Sequence, residues 1–167
     1  PSFFIQHRYG SLKKGSFMNT TTISGKVLGL AIRSQSRGPM TEIEEAEASE
    51  GGTLSGNAKV KENRGVSILS REQWETVIQE LDSTLPWHTR RANILVEGLE
   101  LSETIGKTLL IGSAEVEIKA ETTPCALMDE ICHGLRKVLE PDFRGGVSGR
   151  IARSGQIRVG DVIHVRD

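Results

Sequence analysis

The sequence predicts a mainly β, barrel-like domain of mixed strands carrying two or three short helices. Three features point there. Short apolar or alternating runs recur between glycine turns, as closed or partly closed β-barrels require. Strands do not alternate regularly with helices, which argues against a doubly wound parallel sheet. The 167 residues, 37% of them hydrophobic, suffice for one full core and not for two large domains.

The elements follow in order. Lys26 to Ile32 is a short apolar run bounded by Gly25 and by the stretch ending at Pro39, so it reads as a buried strand. Thr41 to Ala48 is ambiguous: its glutamates favour a helix, but it is short and stops at Gly51–Gly52. Val66 to Leu69 reads as a strand. Ser70 and Gln73 then form a capping-box signature. Trp74, Val77, Ile78 and Leu81 recur at helical spacing, so a helix is predicted from Arg71 to Asp82, with Pro86 blocking its continuation. Ala92 to Val96 and Thr108 to Ile111 read as strands. Glu115 to Ala120 alternates strictly, placing Val116, Ile118 and Ala120 on one face. Gly112–Ser113 makes the hairpin turn before it. A second helix is expected from Cys125, with Leu127, Met128, Ile131, Leu135 and Leu139 as its apolar face, a weak point at Gly134 and an end at Pro141. Val147 to Ala152 and Ile157 to Val165 complete the strands.

Residues 1–22 read as a disordered leader or an expression remnant, since the chain starts at Pro1 and Met18 is a plausible native start. A short amphipathic or targeting segment is the alternative. Residues 23–167 read as a single domain.

Composition excludes several roles. The net charge of −1, from 21 basic and 22 acidic residues, argues against a bulk nucleic-acid binder. Seven aromatic residues are too few for base-stacking platforms. No run approaches the roughly 18 apolar residues of a membrane-spanning helix. Two cysteines make no disulfide scaffold, so free thiols and a cytoplasmic setting are expected, without nucleic-acid or membrane partners.

The most informative chemistry is Thr122-Thr123-Pro124-Cys125. A strand ends, a proline fixes the loop, and Cys125 stands at a helix N-terminus, where the dipole favours a thiolate. A thiolate can attack electrophiles, carry sulfur as a persulfide or ligate a soft metal. A buried, inert cysteine is the ordinary alternative. Cys132 falls on the apolar helix face and reads as core. Cys125, Cys132 and His133 fit no usual zinc spacing. Arg90 and Arg91 precede a strand, and Arg144, Arg150, Arg153 and Arg158 crowd a glycine-rich tail. Phe143-Arg144-Gly145-Gly146 is therefore a candidate anion-binding loop, with solvated charges and turn glycines as the alternative. No phosphate loop, dinucleotide fingerprint or nucleophile elbow is present.

Several blocks, in order, together resemble the MOSC domain, named for the C-terminal domain of molybdenum-cofactor sulfurase. They are Gly51 to Asn57, Arg64 to Ser70, Arg90 to Leu99, Gly106 to Gly112, Pro124-Cys125, Gly145-Gly146-Val147 and Gly155 to Asp161. The resemblance spans Ile23 to Val165. It implies a MOSC-type β-barrel and a role around the molybdenum cofactor (molybdopterin). By carry-over, Cys125 is the molybdenum ligand or sulfur carrier. Arg91, Asn93, Gly56 and Asn57 belong to the cofactor pocket, and Arg144 or Arg150 meets the pterin phosphate. The sequence departs from the family where its usual acid is replaced by Asn57 and its nearby histidine by Ala58 and Lys59. No pyridoxal phosphate is expected, because that group belongs to a separate transferase domain. Three functions stay open, with the balance towards an enzyme. The first is a small oxidoreductase component reducing N-hydroxylated small molecules with electrons from a separate protein. The second is a sulfur carrier served by a sulfur-donor protein. The third is a non-catalytic cofactor-handling module.

Overall fold

The computed structural model describes residues 23–61 and 64–167. The expected leader, residues 1–22, lies outside them. The architecture is a mixed β-barrel with three short helices, and ten strands are present among the described residues. They are β1 (Ser24–Ile32), β2 (Thr41–Ile43), β3 (Glu45–Ala48), β4 (Val66–Ser70), β5 (Ile94–Glu97), β6 (Thr108–Ile111), β7 (Ala114–Glu121), β8 (Val147–Arg153), β9 (Gly155–Arg158) and β10 (Val162–Arg166). The helices are α1 (Arg71–Glu80), α2 (Ala126–Ile131) and α3 (Leu135–Leu139).

Seven strands run in the order β10-β6-β7-β8-β4-β5-β1, and β1 closes the ring by pairing antiparallel with β10. Ser24 faces His164 and Lys26 faces Val162 at this seam. The β4–β5 pair is parallel, with α1 as the crossover. A parallel pair buried on both faces carries apolar runs instead of alternation. Val66 and Ile68 of β4 and Ile94 and Val96 of β5 fill the barrel. Leu69 and Leu95 point outward, where Trp74, Val77, Met128, Leu135 and Leu139 cover them in a second core. β2 extends β1, and β3 pairs with β9 as a small flap that puts Ala46, Ala48 and Ile157 into the barrel core.

Thr41 to Ala48, left open between helix and strand, forms β2 and β3: Ala46 and Ala48 are buried while Glu45 and Glu47 face solvent, a period of two. Three expectations are corrected. Ala120 does not share the face of Val116 and Ile118, because a bulge between Ile118 and Ala120 leaves it exposed. The helix expected from Cys125 is broken into α2 and α3, because Gly134 takes a left-handed conformation (φ 86°) between them. Ile157 to Val165 is divided into β9 and β10 by a turn at Gly160 (φ 96°). The capping box at α1 is half made. Ser70 Oγ accepts from the Gln73 N–H at 3.3 Å, but the Gln73 side chain donates to the Asp142 carbonyl instead of turning back to Ser70.

A candidate anion and cofactor cleft at one end of the barrel

The C-terminal ends of β1 and β7 and the N-terminal ends of β4, β5 and β8 meet at one mouth of the barrel. A cleft of about 470 Å³ opens there. Strand ends carry irregular, polar chain, so such a mouth is where a barrel places a ligand.

Its floor is an amide network. Asn93, only 6% exposed, accepts at Oδ1 from the Ser67 N–H (3.1 Å) and hydroxyl (3.3 Å), and donates from Nδ2 to the Ala31 carbonyl (3.1 Å). It reaches Asn57 Oδ1 at 3.5 Å, which also accepts from the Arg33 N–H at 3.0 Å. Asn57 in turn donates to Thr53 Oγ1 and to the Ala58 carbonyl. These two asparagines thus spend most of their polar capacity on holding β1, β4 and β5 in register at the mouth.

The walls are basic. Arg33, Lys59, Lys61, Arg64, Arg90 and Arg91 all line the cleft, and none of its described lining residues is acidic. None of the six enters an ion pair among the described residues. Arg91 sits in the left-handed region (φ 67°) and donates from Nη2 to the Gly38 carbonyl, while its buried Nε has no partner. Burial lowers the affinity of its guanidinium for the proton, and the neighbouring Arg33 cation adds to this. Two like charges held together without a counter-ion are costly, and an anion between them removes that cost. Thr122 Oγ1, also on the cleft wall, is buried and unpartnered as well.

Arg90 has another part. It is 7% exposed and clamps two chain segments. Nε donates to the Gly145 carbonyl (3.1 Å), Nη2 to the Thr122 carbonyl (2.9 Å), and Nη1 lies 3.8 Å from Met128 Sδ. Burial lowers its proton affinity, and charge on Cys125 opposes that effect. The clamp fixes the end of β7 just before Pro124, and so aims the chain into Cys125. Cys125 is the N-cap of α2, exposed, with no hydrogen bond from its side chain to the helix end. Because α2 ends after six residues, its dipole is short.

The structure therefore brings Cys125, Arg91, Asn93 and Asn57 into one cleft. Gly56, next to Asn57 but outside the lining, turns the loop (φ 78°). Arg144 and Arg150 lie elsewhere. Arg144 grips Glu80 with both Nη atoms (2.9 and 3.1 Å) and the Val138 carbonyl, while Arg150 stands 4.0 Å from Glu50. The glycines beside Arg144 admit backbone, not ligand: a Cβ at Gly145 would collide with the Thr122 carbonyl. Cys132 is half-buried against the second core. Sequence reasoning missed Arg33, Lys59, Lys61 and Arg64 as site residues. The available signal was the acid-free stretch before Glu42 and the cationic run just after the Gly51–Asn57 loop.

The chain belongs to a class of mixed-barrel proteins: residues 53–164 match the MOSC domain family, which is associated with the molybdenum cofactor. Crystal structures give the particular likenesses. The YuaD protein from Bacillus subtilis superposes with a TM-score of 0.74 at 18% identity, over 86% of this chain and 96% of that one. YiiM from Geobacillus stearothermophilus gives 0.68 at 12% identity, over 86% and 75%. YiiM from Escherichia coli gives 0.66 at 13% identity, over 85% and 70%. At such identities the likeness is one of fold. No curated protein sequence matches the chain. No helix among the described residues is long and apolar enough to cross a membrane.

Proposed function

We propose that the cleft binds the molybdenum cofactor with Cys125 as a metal ligand, and that the protein is a small oxidoreductase component acting on N-hydroxylated small molecules. The observation that carries this reading is an exposed thiol and an unpartnered, buried Arg91 Nε in one cleft, with no acidic side chain among its described lining residues. The donor set fits the group. Arg91 and Arg33 suit its phosphate, since guanidinium forks bind phosphate bidentately. Thr122 Oγ1 lines the same cleft without a hydrogen-bond partner among the described residues. Cys125 offers a soft thiolate. Among the described residues no three His, Cys, Asp or Glu side chains gather to hold a bare ion, so a metal at Cys125 must arrive with ligands of its own.

When bound, the cofactor supplies a two-electron centre. Cys125 holds it, Arg90 keeps the loop bearing Cys125 in place, and the Asn57–Asn93 network keeps the mouth open. Reduction of an N-hydroxyl compound to the amine consumes two electrons and two protons and releases water. The electrons come from a separate protein.

The runner-up, a sulfur carrier, draws on the same exposure of Cys125: a persulfide must be reachable by its acceptor. The test is elemental analysis of protein made in a host that synthesises the cofactor, with intact-mass analysis without reductant. Near-stoichiometric molybdenum is expected, lost in Cys125→Ser and kept in Cys132→Ser. Metal-free protein heavier by one sulfur at Cys125 would move the reading to sulfur transfer. Cofactor bound equally by wild type and Cys125→Ser, without turnover, would leave a cofactor-handling module.

A further inference from the structure

We propose that the loop joining β1 to β2, residues 33–40, is a lid over the cleft, and that an anion held by Arg91 closes it. The inference deepens the reading above. It rests on a phosphate group at Arg91 and Arg33, and on nothing about the metal. The loop is itself part of the cleft: Arg33 at its root and Ser36 at its tip both line the cavity, as does Arg91.

Its build suits a moving part. Both ends are pinned. Leu30 pairs with Ile43 and Ile32 with Thr41, and the Arg33 N–H donates to Asn57 Oδ1 at 3.0 Å. Just past the loop, Trp87 Nε1 donates to Glu42 Oε1 at 2.9 Å. The middle is different. Ser34, Gln35, Ser36 and Arg37 are exposed, and no side chain of residues 33–40 joins either core. Segments with so few buried apolar contacts open at low free energy. The tip is a tight turn, in which the Gly38 N–H donates to the Gln35 carbonyl at 2.9 Å. Arg37 takes the left-handed conformation (φ 63°) that such a turn asks of its third residue. A turn closed on itself shifts as a unit between its pinned ends.

Arg91 links this unit to the ligand. Its Nη2 donates to the Gly38 carbonyl at 2.9 Å. Its own N–H donates to the His88 carbonyl at 2.9 Å, so the base of the side chain is set by the preceding turn. A guanidinium carries its N–H donors in one rigid plane. An anion on one edge of that plane and the Gly38 carbonyl on another are therefore held by a single stiff fork. Fixing the fork on a ligand fixes the loop tip with it. Charge acts in the same direction. Arg33 and Arg91 repel each other, and a phosphate between them turns that repulsion into a shared attraction that draws the root of the loop inward.

The experiment is amide hydrogen exchange, read by mass spectrometry, on the full chain made in a host without the cofactor. Inorganic phosphate is compared with sodium chloride at matched ionic strength, and phosphate binding is followed by phosphorus NMR on the same samples. At saturating phosphate the amides of residues 34–38 should exchange roughly tenfold more slowly, and those of β7 should not change. Arg91→Lys keeps the charge but cannot bridge two partners in one plane, so it should abolish the slowing. An arginine with a structural role alone would leave the ratio of the two rates unchanged on substitution. Should Arg91→Lys lose protection in β7, Arg33→Gln replaces it, and the slowing should then need roughly tenfold more phosphate. Phosphate that binds without slowing these amides overturns the lid and leaves the anion contact standing. Slowing that persists in Arg91→Lys, or at unchanged phosphate in Arg33→Gln where that variant stands in, also overturns it. Phosphate that does not bind overturns both the lid and the anion contact. Slowing through Arg91 in a chain that takes up no molybdenum when the cofactor is supplied keeps the lid and ends the cofactor reading.

Discussion

Asn93 illustrates how one side chain can be both lining and scaffold. Its amide joins Ser67 on β4 to Ala31 on β1 at the barrel mouth. Asn93→Ala would leave the Ser67 N–H and the Ala31 carbonyl without those partners inside a buried region. The expected loss is about 3 kcal/mol of stability, read by urea unfolding. The position of Cys125 at the start of α2 was legible because proline before cysteine at a strand end is a local pattern. Arg144 misled for the complementary reason. Arginine among glycines looks like a phosphate loop, yet its partner Glu80 lies 64 residues earlier and is invisible to any local reading. Lys59, Lys61 and Arg64 have no periodicity to betray them, since only the folded chain places them in the lining that Cys125 shares.

Among the elements, β7 and α1 were readable in full or nearly so. β7 alternates from Ala114 to Ile118 and loses the pattern at the bulge before Ala120, and α1 declares its start through Ser70. The short β3 was not, because alanine and glutamate are good helix formers and only tertiary contact with β9 decides between the two states. The start of α1 also carries a pH-dependent feature. Burial pushes the Glu72 carboxyl up, but its own N–H, the Gly98 N–H, the Ser70 hydroxyl and the Arg71 guanidinium together outweigh it and hold it below the usual carboxylate range. Such a group adds stability above its unfolded value, about 4.3, and loses it as pH falls through the lower folded value. Glu72→Gln should therefore unfold with a shallower acid dependence below about pH 4.3 than wild type, measured by thermal melts across pH.

For the molecule as a whole, closure is the decisive event. β10 is paired on both sides, with β1 and with β6, and its Ile163 is fully buried in the barrel core. Removing residues 162–167 would leave two open edges and an unfilled core. The expected result is a chain without a cooperative thermal transition, checked by calorimetry. The class of fold was legible from strand number and glycine turns. The closure was not, because the β1–β10 seam joins residues such as Ser24 and His164 from opposite ends of the domain.

That seam also sets a clock on synthesis. At about 5–20 residues per second, a ribosome takes roughly 7–30 s to travel from β1 to its partner β10. For that interval β1 has made no ring, and its apolar face waits for a partner that does not yet exist. The thiol of Cys125 is translated before the last barrel strands and stays outside a finished mouth until they arrive. Loading of any ligand into the closed barrel therefore waits until β10 has been made.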